Sequence, residues 1–255
     1  MFAEERHSRI ATLVAAEGRV SVAELSERFT ITRETVRRDL ALLEDAGILR
    51  RVHGGAVTGG NSSTSELSLY SREAQHQPEK ARIAKAALAM VPDAGSIVLD
   101  AGTTTGHLAE LLAQESRHSL VVITHAVPIA QAIASSSLHL ELVGGRVRGL
   151  TSAAVGSHTI DRFNGYRPDI AFIGANGVHS TFGLSTPDPD EASVKTAIVR
   201  SARRVIAVVD ASKLEQETLV GFAALTDIDT LVTDQTPGPA LAAALADAEV
   251  EVVVA

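Results

Sequence analysis

Between residues 4 and 16, Ile10, Leu13 and Val14 recur at helical spacing and Gly18 follows the last turn, so the pattern predicts a first helix. Ser21-Val22-Ala23-Glu24 opens a second: the Ser21 hydroxyl is placed to accept the Glu24 N–H while the Glu24 side chain reaches back, a capping box. Val22, Leu25 and Phe29 continue that helix, which ends by Thr30. Thr32 is the expected N-cap of a third helix running to Ala46. In it Val36, Leu40 and Leu43 share one face, and Glu34, Arg37, Arg38 and Ala41 share the other. After Gly47, apolar and basic residues alternate from Ile48 to Val57 around Gly54-Gly55, the pattern of a β-hairpin.

The pattern then changes. Residues 58–65 are small, polar and rich in Gly and Ser, as in a flexible linker, and 66–77 continue with polar residues around Leu67, Leu69 and Tyr70. Pro78 opens a helix at 78–91. Beyond it, β-branched apolar runs recur at 96–100, 120–124, 139–143, 169–174, 205–209, 230–233 and 250–254, several separated by alanine-rich helical stretches. This alternation predicts an α/β fold: an open, doubly wound, largely parallel sheet with helices on both faces and its ligand at the strands' carboxyl ends. The expected organisation is a helical module over 1–57, a linker over 58–77 and an α/β domain over 78–255.

Composition narrows the core and the partners. With 45% hydrophobic but only 3% aromatic residues, the core must be built from Ala, Val, Leu and Ile. The net charge is −8, but residues 1–57 hold nine arginines against nine acidic residues, so the whole deficit lies in 58–255. A neutral N-terminal part is free to gather its arginines on one face, whereas the acidic remainder argues against an anionic membrane and against non-specific coating of nucleic acid. The absence of cysteine excludes disulfides, thiolate nucleophiles and cysteine-rich metal sites. No basic-then-apolar leader and no apolar run of about 18 residues is present, so a soluble, cytoplasmic chain without membrane partner, cofactor or metal is expected.

A short basic helix face free of bulk, following a capped helix and a tight turn, is what a major groove about 12 Å wide admits. Thr32, Thr35 and Arg38 are candidates for phosphate contacts, Arg33 and Arg37 for base edges, and Ser21 joins the same set. Arg50, Arg51 and His53 of the hairpin are candidates for the flanking backbone or minor groove. The plain alternative is a three-helix dimerisation module with solvated arginines; the hairpin favours a winged helix-turn-helix on double-stranded DNA.

Three strand ends of the second domain are chemically conspicuous. Leu99-Asp100-Ala101-Gly102-Thr103-Thr104-Thr105-Gly106 passes from strand to helix through glycine and hydroxyls, which suits an anion but is not a P-loop. Gly174-Ala175-Asn176-Gly177 and Asp210-Ala211-Ser212-Lys213 are the others. Glu191 and Lys195, four apart on a helix, are most simply a surface ion pair. A ligand shared by such ends is small, anionic and hydroxylated.

The segments Thr32–Leu40 and Arg50–Ala56, with Arg6, Ile10 and Val14, resemble the DeoR family of bacterial regulators. The resemblance implies that Asp39 is structural, holding the helix or Arg38. It also implies a sensor domain similar to ribose-5-phosphate isomerase, on landmarks from Asp100–Thr105 through Gly144-Gly145-Arg146, Asp169–Gly177 and Gly183–Pro187 to Lys213. By that resemblance phosphate sits on Gly102, Thr103, Thr104 and Thr105, with Asn176, Lys195 and Lys213 near the sugar. Asp100, Thr124, Arg146, Gly177 and Glu191 complete the candidate effector set, and His125 stands where the family usually has Asn.

The implied function is a homo-oligomeric, sequence-specific regulator, a repressor of sugar-metabolism genes, controlled by a phosphorylated sugar. Residues 1–6 and 66–68 look like those of fructose-uptake regulators, making fructose 1-phosphate the leading effector, ahead of glycerol 3-phosphate and tagatose or glucosamine phosphates. The rival is a sugar-phosphate isomerase with an accessory DNA-binding domain, which needs carboxylates to move a proton. Gly174–Val178 holds no acidic residue where the isomerases carry two or more, leaving only Glu191, Asp100 and Asp210, so a non-catalytic sensor is expected.

Overall fold

The computed structural model describes residues 3–45, 48–58, 63–64, 66–115 and 117–255. The predicted helix end at Ala46, Gly47, most of the predicted flexible segment 58–65 and the side chain of Arg50 lie outside the described residues. The chain divides into two compact units, residues 1–72 and 73–255.

In the N-terminal unit, α1 (Ala3–Glu17), α2 (Val22–Phe29) and α3 (Arg33–Asp45) pack on a small antiparallel sheet. That sheet is built from β1 (Arg19–Ser21), β2 (Leu49–Val52) and β3 (Gly55–Thr58), in the order β1-β3-β2. The predicted helical periodicity holds: Ile10, Val14, Leu25, Val36, Leu40 and Leu43 are buried together with Val20, Leu49 and Ala56. The Ser21–Glu24 capping box is formed, and Thr30 ends α2 in the left-handed region at φ 53°. Three-residue β1 carries no periodic signal, and its pairing depends on Gly55, where a Cβ would lie 2.1 Å from the Val20 carbonyl.

Within the segment 58–77, Leu69–Glu73 form a short helix, α4, and α5 (Gln77–Leu88) starts with Pro78 in its first turn and stops short of residue 91. The strands that follow are β4 (Ala94–Leu99), β5 (Ser119–Thr124), β6 (His139–Leu142), β7 (Arg146–Arg148), β8 (Ala153–Val155), β9 (Ile170–Ile173), β10 (Gly177–His179) and β11 (Gly183–Thr186). Then come β12 (Arg204–Val208), β13 (Val220–Ala223), β14 (Thr230–Thr233) and β15 (Glu251–Val254). Helices α6 (Thr103–Leu112), α7 (Val127–Ile133), α8 (Ser157–Asn164), α9 (Pro189–Ser201) and α10 (Pro239–Asp247) lie between them.

Seven strands form one parallel sheet in the order β15-β14-β12-β9-β4-β5-β6. Both faces are covered. Ile97 and Leu99 face a core shared with α5, α6 and α7, while Val98, between them, faces a core shared with α8, α9 and α10. Burial on both sides is why the inner strands read as continuous apolar runs rather than alternating ones. Chain order reverses between β4 and β9, and in such sheets the crevice at the carboxyl ends of the two strands at the reversal is where ligands bind. A small antiparallel sheet, β10-β11-β13, and the β7–β8 hairpin complete the unit.

Candidate functional site

The α3 surface is set by its two ends. Thr32 caps the helix, accepting the Thr35 N–H at 3.1 Å, and its hydroxyl also meets the Thr35 hydroxyl at 2.9 Å. Arg33, Arg37 and Arg38 are exposed, and Arg37 makes a long contact of 3.4 Å to Glu34. On the wing, His53 and Arg51 are exposed; the Arg51 guanidinium lies 3.9 Å from Glu44, and the Arg51 backbone N–H donates to the same carboxylate at 2.7 Å. Ser21 is committed to its cap.

Asp39 does not hold Arg38. Consecutive helical residues point about 100° apart, and Asp39 faces inward, where Arg6 binds both its oxygens and His7 Nε2 lies 2.8 Å from Oδ1. Burial pushes the Asp39 carboxyl up, but the hydrogen bonds from Arg6 and His7 outweigh it and hold it below the usual carboxylate range.

The second assembly lies at the β4/β9 reversal. Asp100, at the end of β4, is fully buried. Its Oδ2 accepts the Lys195 ammonium and, at 3.0 Å, the Gly174 N–H at the end of β9; its Oδ1 lies 3.1 Å from His125 Nε2. Desolvation raises its pKa, yet the positive charge of Lys195 and the contact with His125 win, so it too sits below the ordinary range. Lys195 also donates to the Gly174 carbonyl at 3.0 Å.

Next to this cluster α6 begins at Thr103, with Gly102 as its N-cap and no side chain capping it. Thr103, Thr104 and Thr105 are buried, and the Thr105 hydroxyl returns to the Gly102 carbonyl at 3.1 Å. An uncapped helix start presents free N–H groups and a partial positive charge, the requirements of an anion site. Thr124 is a backbone latch, its hydroxyl bonding the Leu99 carbonyl at 2.7 Å and the Ala126 N–H at 3.1 Å. Asn176 and Lys213 are half-buried, and among the described residues neither side chain has a partner.

The structure departs from the expected surface pair of Glu191 and Lys195. Both are buried; Glu191 accepts from Thr151 and, at 3.2 Å, from Arg148, which also reaches Asp188 at 3.0 Å. Each finds its partner on another element because both point toward the sheet rather than to solvent. Arg146 is exposed and paired with Asp190. Gly177 is packed shut: a Cβ there would lie 2.2 Å from the Gln216 carbonyl, so its small size serves the fold. Asp210 is bound by Ser212. Thus Asp100, Glu191 and Asp210, the carboxylates that an isomerase reading would need, are all engaged by the protein's own groups.

Arg148, Thr151 and the Ala154 carbonyl, which meets His125 Nδ1 at 2.8 Å, were not legible as site residues. Asp188 was missed too, although Pro189, Asp190 and Glu191 after it give it the form of an N-cap, which it is. Among the described residues no group of three His, Asp or Glu side chains is placed to hold a metal ion, and no helix is long and apolar enough to cross a membrane.

Comparison with known proteins follows the same division. Residues 6–61 match the DeoR-like helix-turn-helix domain and residues 75–235 the DeoR C terminal sensor domain. The chain is 32% identical to the uncharacterized HTH-type transcriptional regulator FruR of Bacillus subtilis (strain 168), with 92% of each chain covered. It is 30% identical to the glycerol-3-phosphate regulon repressor of Escherichia coli (strain K12), with 97% of each covered. Among solved structures, ribose 5-phosphate isomerase A from Methanocaldococcus jannaschii aligns over 55% of each chain at 22% identity and a TM-score of 0.42.

Proposed function

The chain belongs to the DeoR family of helix-turn-helix transcriptional regulators with a C-terminal sensor domain, and from that premise we propose that it represses sugar-metabolism genes until a phosphorylated sugar releases it. It works in the cytoplasm, soluble and as a homo-oligomer, since one recognition helix reads too few base pairs for specificity. Helix α3 enters the major groove with Arg33 and Arg37 at base edges, and Ser21, Thr32, Thr35 and Arg38 lie along the phosphates. Arg50, Arg51 and His53 touch the flanking DNA.

In the sensor, the ligand phosphate rests on Gly102–Thr105 while Asn176 and Lys213 meet the sugar hydroxyls. Asp100 and Lys195 hold the crevice from beneath, and Thr124, His125, Gly177 and Glu191 act as its frame rather than as ligand contacts; Arg146 lies at its rim. The carrying observation is the uncapped start of α6 at the strand-order reversal; Lys213, half-buried and without a side-chain partner among the described residues, supports it. The relatives, among them a glycerol-3-phosphate regulon repressor, support a small phosphorylated ligand, and fructose 1-phosphate is the first to try.

The test is selection of bound DNA from a random pool by the full chain, followed by fluorescence anisotropy on the selected duplex with each sugar phosphate added. One sugar phosphate should lower operator affinity at least tenfold. Failure to enrich any sequence, or an affinity that no sugar phosphate changes, overturns the reading.

A further inference from the structure

His125 is 2% exposed and its ring has two distinguishable nitrogens. Nδ1 faces the Ala154 carbonyl at 2.8 Å; a carbonyl only accepts, so Nδ1 carries a hydrogen. Nε2 lies 3.1 Å from Asp100 Oδ1 and 3.4 Å from the Ala101 N–H. Those two neighbours make opposite demands. The amide only donates and the carboxylate, held ionised by Lys195 and the Gly174 N–H, only accepts. A bare Nε2 therefore serves Ala101, and a protonated one serves Asp100.

The charge count adds the second condition. With Nε2 bare, Asp100 and Lys195 cancel; with Nε2 protonated, a buried cluster carries one net positive charge, which is costly without a counter-ion. Among the described residues the ring also meets the Ala154 carbonyl of β8 and, edge-on at 5.8 Å, Phe163 of α8, neither titratable. Glu191, on α9, is occupied by Arg148 and Thr151. The start of α6, two residues beyond Ala101, has no side-chain cap, and its free N–H groups are the candidate partner of a compensating anion.

We propose that His125 is a proton-linked positioning residue of the sensor: an anion bound at Gly102–Thr105 draws one proton from solvent onto Nε2, which exchanges the Ala101 N–H for Asp100 as its partner. This rests on the phosphate site proposed above. Linkage is reciprocal, so proton uptake on binding means that ligand affinity rises as pH falls. The ligand's own second phosphate ionisation, near about 6, contributes equally with and without the histidine, so the difference between the two proteins isolates His125.

The measurement is isothermal titration of the full chain with fructose 1-phosphate and with inorganic phosphate at several pH values. Each is run in two buffers of different ionisation enthalpy and repeated with His125→Asn, which supplies a hydrogen-bond donor and acceptor but cannot titrate. Wild type should take up more protons per ligand than the variant, and its affinity should fall more steeply as pH rises. Equal proton uptake and parallel pH profiles overturn the proposal while leaving the phosphate site intact. Absence of binding of either ligand to wild type at every pH removes the phosphate site and this inference with it. If His125→Asn does not fold, His125→Gln takes its place, and the imidazole ¹⁵N shifts of wild type, with and without ligand, read the same proton directly; unchanged shifts on saturation are equally decisive against it.

Discussion

Arg6 of α1 grips Asp39 of α3 through both carboxylate oxygens, Nε at 2.6 Å from Oδ2 and Nη2 at 2.9 Å from Oδ1. The helix proposed to read DNA is thereby fixed to the first helix by a largely buried, two-point charged bond, the strongest class of hydrogen bond available to side chains. Asp39→Ala should lower the stability of the N-terminal unit by about 2–3 kcal/mol, since Arg6 loses its partner while still mostly buried. Urea unfolding followed by far-UV circular dichroism checks this; a loss under about 0.5 kcal/mol would show that the bond contributes little.

Acid stability follows from the same bond and from Asp100. Both carboxyls are held below the ordinary range in the folded chain. Their stabilisation is complete above the unfolded-state value near about 4 and is lost as pH falls through the lower folded-state value. Calorimetry over the acid limb should show a steep loss of stability below about pH 4 that becomes shallower in Asp100→Asn. An unaltered slope in that variant contradicts the assignment.

Lys195→Met should cost the C-terminal unit about 3–5 kcal/mol, because it strands a fully buried carboxylate. The double variant with Asp100→Asn should regain part of that loss, as coupled neighbours do. Thermal melts of the four proteins form the cycle, and strict additivity would mean that the pair does not interact.

Gly55→Ala puts a methyl on the Val20 carbonyl and must push β1 and β3 apart, an overpacking cost of about 1–3 kcal/mol. Operator affinity should fall with it, since the wing hangs on that pairing. Wild-type stability and DNA binding in this variant would place the wing elsewhere.

Arg37→Ala should weaken binding to the selected operator by about 1–3 kcal/mol at fixed salt, with fructose 1-phosphate binding unchanged. An equal loss on scrambled DNA would make Arg37 a phosphate contact rather than a base reader.

The parallel sheet was legible because its inner strands are buried on both faces, so runs such as Ile97-Val98-Leu99 stay apolar throughout. Helix starts at Ser21 and Thr32 were legible because caps are local chemistry. The short strands β7, β8, β10, β11 and β13 were not: three or four residues, several of them Gly, give no period to detect. Partners of buried charges were equally hidden. The spacing of Glu191 and Lys195 is that of a surface pair, yet Lys195 finds Asp100, 95 residues away, and Glu191 finds Arg148, 43 away. Spacing along one helix states which residues are neighbours, but not which side of the helix the sheet lies on.

The fit of Gly177 against the Gln216 carbonyl has a mechanical consequence. With no room for a methyl between them, and with the Glu215 N–H bonded to the Val178 carbonyl at 2.7 Å, the stretch after Lys213 is clamped to β10. A ligand that engaged Lys213, as proposed, would pull on a strand rather than a free loop, and on β11 and β13 through their pairing with it.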